Sequence, residues 1–262
     1  MKRTLTITVL LLLAMAAGAS AQDFSWRGRI GRGRMIEIKN ISGSITAVGT
    51  SGTEVRVTAV KTAEDDDPEE VEIEVLEHGD GVTICAVYPT PTRRRGRDSG
   101  PNECGAGEEG RMNVNDNDVK VEFEVQVPAG VAFVGRNVNG AVRATDIDSD
   151  VRAYTVNGGV TVDATGLVEA KTVNGSIRAA MGRGSLEEDL SFETVNGGIT
   201  LEIDGELNAE VRAGTVNGGI STDYPLTVQG RFGPKSVRGV IGRGGRTLGL
   251  NTVNGSIEIR RR

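Results

Sequence analysis

The chain has 262 residues, 37% of them hydrophobic, 25% charged and only 3% aromatic, with a formal net charge of −6. An acidic chain lacks the basic footprint of a nucleic-acid-binding protein, and so few aromatic residues argue against an outer-membrane barrel with its girdles and against a sugar cleft built on stacking rings. A single histidine, His78, leaves little room for a nucleophile paired with an imidazole base.

Lys2 and Arg3 precede an apolar run at 9–17, and Ala19-Ser20-Ala21 supplies small residues before Gln22. This is the pattern of a secretory signal peptide over residues 1–21. The run is shorter than the about 20 residues that cross a bilayer, and no cysteine stands near Gln22 to accept a lipid. The expectation is an exported, soluble bacterial protein, periplasmic, on the cell surface or extracellular, with no transmembrane segment in the mature chain. Without Lys2 and Arg3 the 30 basic residues fall to 28 against 36 acidic ones, a net charge of −8. Arg93-Arg94-Arg95 and Arg260-Arg261-Arg262 read as solvated loop and tail charge.

Residues 22–128 read as a β-rich N-terminal part. A Gly- and Arg-rich start carries Trp26 as its bulky anchor, and 35–50 then places Ile36, Ile38, Ile41, Gly43, Ile45 and Ala47 at offsets that recur later in the chain. Alternating patterns predict strands at 54–63, 71–76, 82–88 and 119–127, with a turn at His78-Gly79-Asp80-Gly81. The acidic loop at 64–70 lacks the spaced ligands and bidentate glutamate of a calcium loop. Residues 89–118 are rich in Gly, Pro, Arg, Asp and Asn, the composition of a disordered insertion tethered at Cys104. Export makes a Cys85–Cys104 disulfide the expected use of the two cysteines, worth about 3 kcal/mol for the loop it closes. A metal site is disfavoured, because no second pair of ligands accompanies them.

From residue 129 to 262 one phrase organises the chain. It reads Thr155-Val156-Asn157-Gly158 and returns as Thr-Val-Asn-Gly ending at Gly175, Gly197, Gly218 and Gly255, with weaker copies at 137–140 and 236–239. From Gly140 through Gly239 to Gly255 the intervals are 18, 17, 22, 21, 21 and 16 residues, the period of stacked coils. Apolar residues fall seven and five places before the glycine, as in Val151 and Ala153, and two and four places after it, as in Val160 and Val162. The inward face therefore changes parity within the phrase, which a continuous strand cannot do. The phrase is a corner, and Asn and Gly are the residues best suited to a positive φ there.

Two architectures accommodate such a corner. Asn-Gly as a type I′ hairpin would give an antiparallel meander. A β-solenoid would set each corner about 4.8 Å above the last, and only that stacking gives equivalent positions a reason to share a residue type. The solenoid is the favoured reading, with Asn139, Asn157, Asn174, Asn196, Asn217 and Asn254 hydrogen-bonded in a ladder. The last coil, with Ile257 and Ile259, would then leave an open end that the arginine tail blunts.

The leader, Ile41-Ser42-Gly43-Ser44-Ile45, Val127-Pro128-Ala129-Gly130-Val131 and the corner array together resemble the bacterial "putative adhesin" family of exported β-strand-repeat proteins, a domain of unknown function. The resemblance covers nearly all of the mature chain. It implies a β-helical fold and an exported or envelope-associated protein, some relatives being connected with envelope stress, and it supplies no catalytic residues. The 89–118 insertion and the Arg238 corner depart from the plainest pattern.

The function expected is that of a non-catalytic binding, adhesin-like or scaffold module without cofactor, acting on an envelope or surface partner, protein or glycan. The alternative is a carbohydrate-active enzyme on a β-helix, which needs clustered acids on one face. Asp163, Glu202 and Asp223 stand five places after their corners, but Ala180 interrupts the row. A calcium-stabilised solenoid would need an aspartate in each Gly-rich turn, where these corners carry Asn. The Gly-Arg-Gly pieces at 31–33, 182–184 and 242–244 lack the strand-then-helix setting of a phosphate loop. Partner contact is expected where coil length varies, at 89–118, at 181–188 with Arg183, and at 224–232 with Tyr224, Pro225 and Leu226.

Overall fold

A computed structural model describes residues 24–91, 100–182, 186–225 and 235–262. The leader, Arg183 and Leu226 lie outside the described residues. Among those described, the chain forms strands and one 3-10 turn, with no α-helix. It opens with β1 (Phe24–Gly28) and a two-strand coil, β2 (Met35–Lys39) and β3 (Ile45–Thr50). β4 (Val55–Thr62), β5 (Glu72–His78), β6 (Gly81–Val87) and β7 (Lys120–Pro128) follow. Coils then run β8 (Ala132–Arg136) with β9 (Val142–Ile147), β10 (Val151–Tyr154) with β11 (Val160–Ala164), and β12 (Val168–Lys171) with β13 (Ile177–Met181). After β14 (Leu190–Glu193) with β15 (Ile199–Ile203) come β16 (Ala209–Asn217) with β17 (Ile220–Thr222), β18 (Lys235–Ile241), and β19 (Thr247–Asn254) with β20 (Ile257–Arg261).

Each coil contributes one strand to each of two sheets. One is ordered β1-β4-β7-β3-β9-β11-β13-β15-β20-β17 and the other β18-β16-β19-β14-β12-β10-β8-β2-β6-β5. Successive coils pair parallel and in register, Val151 opposite Val168 and Val160 opposite Ile177, so the chain is a β-solenoid and not a meander. The alternation of small and branched apolar residues sets the core: Val151, Ala153, Val168 and Ala170 from one sheet meet Val160, Val162, Ile177 and Ala179 from the other, all buried. Phe123, Phe133 and Phe192 are among the largest side chains buried in it. Tyr88, buried with its hydroxyl donating to the Val119 carbonyl at 2.9 Å, has its pKa pushed up to about 12 by that burial.

Antiparallel strands close the ends. β4 lies on β7 and β1 on β4 in one sheet, while β5 lies on β6 at the same end of the other. Glu72, Glu74 and Glu77 of β5 are exposed, and charge along an edge discourages further pairing. At the opposite end β18 pairs antiparallel with β16. The phrase copy at 236–239 is therefore no corner: Ser236, Val237, Arg238 and Gly239 lie inside a continuous strand.

The expected open end is also corrected. β19 and β20 sit between β14/β15 and β16/β17, so the last coil of the chain is not the last of the stack. Ile257 is fully buried and Ile259 is 1% exposed. The arginines after them are engaged: Arg261 lies 4.9 Å over the Tyr224 ring and Arg262 meets Asp163 at 3.1 Å. An edge-blunting role for this tail falls with the open end. Replacing Ile257 by Ala should then cost about 2 to 5 kcal/mol, as in a closed core, measured by chemical denaturation. A loss of a few tenths would fit a frayed terminal coil instead.

Candidate functional site

The corner is built from four side-by-side requirements. Alternation carries the inward face from Val151 and Ala153 on to Thr155, so the phrase threonine is buried, between 2% and 6% exposed at positions 155, 172, 194, 215 and 252. A buried hydroxyl needs a partner. Thr155 donates to the Gly140 carbonyl at 2.9 Å, Thr172 to Gly158 at 2.9 Å, Thr194 to Gly175 at 2.8 Å, Thr252 to Gly197 at 2.8 Å and Thr215 to Gly255 at 2.8 Å. In the first coils asparagine takes this place: Asn137 donates to the Gly43 carbonyl at 2.7 Å and Asn40 to Val121 at 2.8 Å.

That carbonyl also explains the glycine. A Cβ on Gly175 would stand 2.0 Å from the Gly158 oxygen, and one on Gly197 2.1 Å from Gly175. The positive-φ explanation is thereby corrected. Only Gly43 and Gly140 among the corner glycines have it, at 102° and 146°, and none of the ladder asparagines does. The glycines serve close stacking of backbone on backbone.

The phrase asparagines point outward and form a ladder. Asn157 donates to Asn139, Asn174 to Asn157, Asn196 to Asn174, Asn254 to Asn196 and Asn217 to Asn254, each at 2.8 Å. The spatial order thus places Asn254 before Asn217. The phrase valines are exposed beside them, 39% at Val156, Val173, Val195 and Val253 and 53% at Val216. Between this apolar row and the outward side chains of Tyr154, Lys171, Glu193 and Asn251 runs a groove of about 350 Å³ floored by the threonines. Tyr154 donates to Glu169 at 3.0 Å, and burial, followed by the Glu169 charge, raises its pKa.

Toward the N-terminal end a loop stands over the outer face of β2 and β6. The Cys85–Cys104 disulfide, with Cα atoms 5.7 Å apart, anchors it. Lys39 donates to the Gly105 carbonyl and, at 2.9 Å, to Glu109; burial lowers its pKa. Glu37 points outward from β2 yet is 1% exposed, because the loop covers it. Its carboxylate accepts from Thr83 at 2.8 Å, from the Gly107 amide at 2.9 Å and from Arg136 at 2.8 Å. Arg136 also meets Glu108 at 2.9 Å and lies 4.6 Å over the Tyr154 ring. Together these groups enclose a cleft of about 240 Å³ lined by Lys39, Asn40, Ile41, Met112, Arg136 and Val138. The buried Oδ1 of Asn40 has no partner among the described residues.

The remaining expected sites are dispersed. Tyr224 is 3% exposed, its hydroxyl 3.3 Å from the Gly205 carbonyl, so it closes the core instead of offering an apolar contact; Pro225 beside it is exposed. Asp163 is held by Arg262, and Asp223 accepts from the Arg261 amide at 3.1 Å. Asp118 collects the amides of Asp65, Glu64 and Asp66, which hold its pKa down. Sequence reasoning missed the threonines, the exposed valines and the Glu37–Arg136 pair. Extending the alternation by one step to Thr155 would have found the first.

These features define a two-sheet parallel β-solenoid with a polar corner ladder and a disulfide-anchored loop. Residues 32–260 match the Toastrack DUF4097 family, and the chain belongs to it. No curated protein matches. Among solved structures the chain is similar to a "putative cell adhesion protein" from Clostridium sporogenes ATCC 15579, with 12% identity and a TM-score of 0.44 over 91% of this chain and 99% of that one. It is also similar to a "putative adhesin" from Bacteroides fragilis NCTC 9343, with 12% identity and a TM-score of 0.31 over 91% and 96%.

Two measurements check the site. Thr172→Val should cost about 1 to 3 kcal/mol by orphaning the half-buried Gly158 carbonyl, and more than Asn174→Ala, whose partners are exposed and can turn to water; equal losses in denaturant melts would contradict this. Cys104→Ser should cost about 3 kcal/mol and speed tryptic cleavage at Arg111. Unchanged cleavage would mean that the Glu37 and Lys39 contacts hold the loop alone.

Proposed function

We propose that the chain is an exported, non-catalytic, adhesin-like binding or scaffold module of the bacterial envelope, released from its leader at residues 1–21. In this reading residues 129–262 present the binding surface and 22–128 form the other part of the mature protein. The observation that carries it is the exposed valine row beside the asparagine ladder. An apolar stripe maintained over five successive levels, where a solvated corner would favour polar residues, is the mark of a surface that is covered in use, and a repeating stack suits an extended partner. The disulfide supports an oxidising compartment.

The test is capture of bacterial envelope, or of whole cells, by the immobilised mature chain. A V173E/V195E/V253E variant with an unchanged melting temperature should lose most of the capture, since three charges break the apolar row without touching the core. Equal capture by variant and parent, or none by the parent, would overturn the reading. Mass spectrometry of the exported protein should find its first residue at Gln22.

A further inference from the structure

The order of the coils in space differs from their order in the chain at one place. After β15 the chain does not build the neighbouring level. It passes through residues 204–208 to β16, one level further on, and leaves a slot that is filled only when β19 and β20 arrive at the end of the sequence. Four strand edges face this slot. β14 and β16 pair with the two sides of β19, and β15 and β17 with the two sides of β20. Among the described residues β17 has no other partner in its sheet.

Nothing in the slot distinguishes one copy of the coil from another. Asn254 donates to Asn196 and accepts from Asn217, both at 2.8 Å. Thr252 donates to the Gly197 carbonyl and Gly255 accepts from Thr215, both at 2.8 Å. Leu248, Leu250, Ile257 and Ile259 bury completely or to within 1%. A second copy of the chain carries the same coil and would make the same bonds. Filling the slot from within or from outside therefore differs only in the connecting segment and in concentration.

That segment suits a hinge. Residues 242–246 read Gly-Arg-Gly-Gly-Arg, mostly exposed, with Gly242, Gly244 and Gly245 at φ of 60°, 72° and 140°. Two hydrogen bonds tie it to the preceding coil: the Arg243 amide donates to Asn208 at 2.8 Å, and the Arg246 carbonyl accepts from the Glu210 amide at 3.0 Å. Five residues can open from this tight turn to roughly 17 Å, and short hinge loops favour exchange of the element they carry.

We propose that the C-terminal coil is an exchangeable insert, and that two copies of the chain trade Thr247–Arg261, each coil filling the slot of the other molecule. Exposed backbone edges accept an added strand from a partner by the same ladder bonds that they use internally. The product is a closed pair at low concentration and a longer series where exchange does not close. The inference concerns self-assembly and does not rest on the proposed envelope binding.

The full chain tests it through Thr200 and Glu258, which oppose each other on β15 and β20. Neighbouring strands lie about 4.8 Å apart, within the roughly 4.4 to 6.8 Å between Cα atoms that a disulfide bridges. One differently tagged chain carries Thr200→Cys and the other Glu258→Cys; they are mixed, partly unfolded, refolded together and oxidised. The expected result is a covalent heterodimer joined between 200 and 258 by mass spectrometry, its share rising with protein concentration. A control pair, Thr200→Cys with Thr161→Cys, should give none, since β11 of one copy never enters the slot of another. Heterodimer no more abundant than in that control overturns the proposal, provided the double variant in one chain closes its own bridge. Failure of that internal bridge overturns it too, because the slot is then not filled as described.

Discussion

The fold depends on how closely one glycine can approach the carbonyl of the glycine beneath it. At Gly158, Gly175, Gly197, Gly218 and Gly255 a Cβ would lie between 1.9 and 2.2 Å from that oxygen, so the corner tolerates no side chain. The same carbonyl receives the buried threonine hydroxyl of the next coil. One residue clears the space and another satisfies the group left in it. The outward asparagine ladder and the in-register core follow, because a coil shifted by one residue would lose both bonds and turn its apolar set to solvent.

A corner repeated with so little variation has two consequences. It makes levels interchangeable, so the last segment of the chain can occupy an interior level and the strand order can depart from the chain order. It also prints a regular relief on the surface, with valine beside asparagine from Val138-Asn139 onward and a groove floored by threonine. The N-terminal end of that relief is different in kind. There the Cys85–Cys104 bridge and the pair of buried Glu37 with half-buried Arg136 hold a loop over the sheet, and Asn40 and Asn137 replace the threonines. The carboxylate of Glu37 is buried but satisfied by three donors, the condition under which an interior charge is tolerated.

Much of this was legible in the residues themselves. The change of parity across Thr-Val-Asn-Gly announces a corner, and the recurrence of one residue type announces stacking. The role of glycine was not, because the sequence shows a small residue without showing whether φ or space demands it. Stack order was hidden for a related reason: Asn254 and Asn217 sit in the same phrase, and nothing local ranks the neighbours of either. Ser236-Val237-Arg238-Gly239 misled because it keeps the glycine but loses the ladder asparagine, and pairs antiparallel as plain strand. Glu37 looked like an ordinary outward acid on β2; its cover comes from Gly107, 70 residues away. Tyr224 looked like loop surface, whereas its ring lies under Arg261 at the end of the core.

The claim that backbone contact, not backbone conformation, requires the corner glycine is tested most directly by a pair of substitutions. Gly175 has the Gly158 oxygen 2.0 Å from a would-be Cβ, while at Gly159 the nearest atom, the Ser176 oxygen, is 3.5 Å away. Equilibrium unfolding should show Gly175→Ala losing more than about 4 kcal/mol or failing to fold. Gly159→Ala should change stability by about 1 kcal/mol or less in either direction. Similar, small effects at both positions would contradict the account.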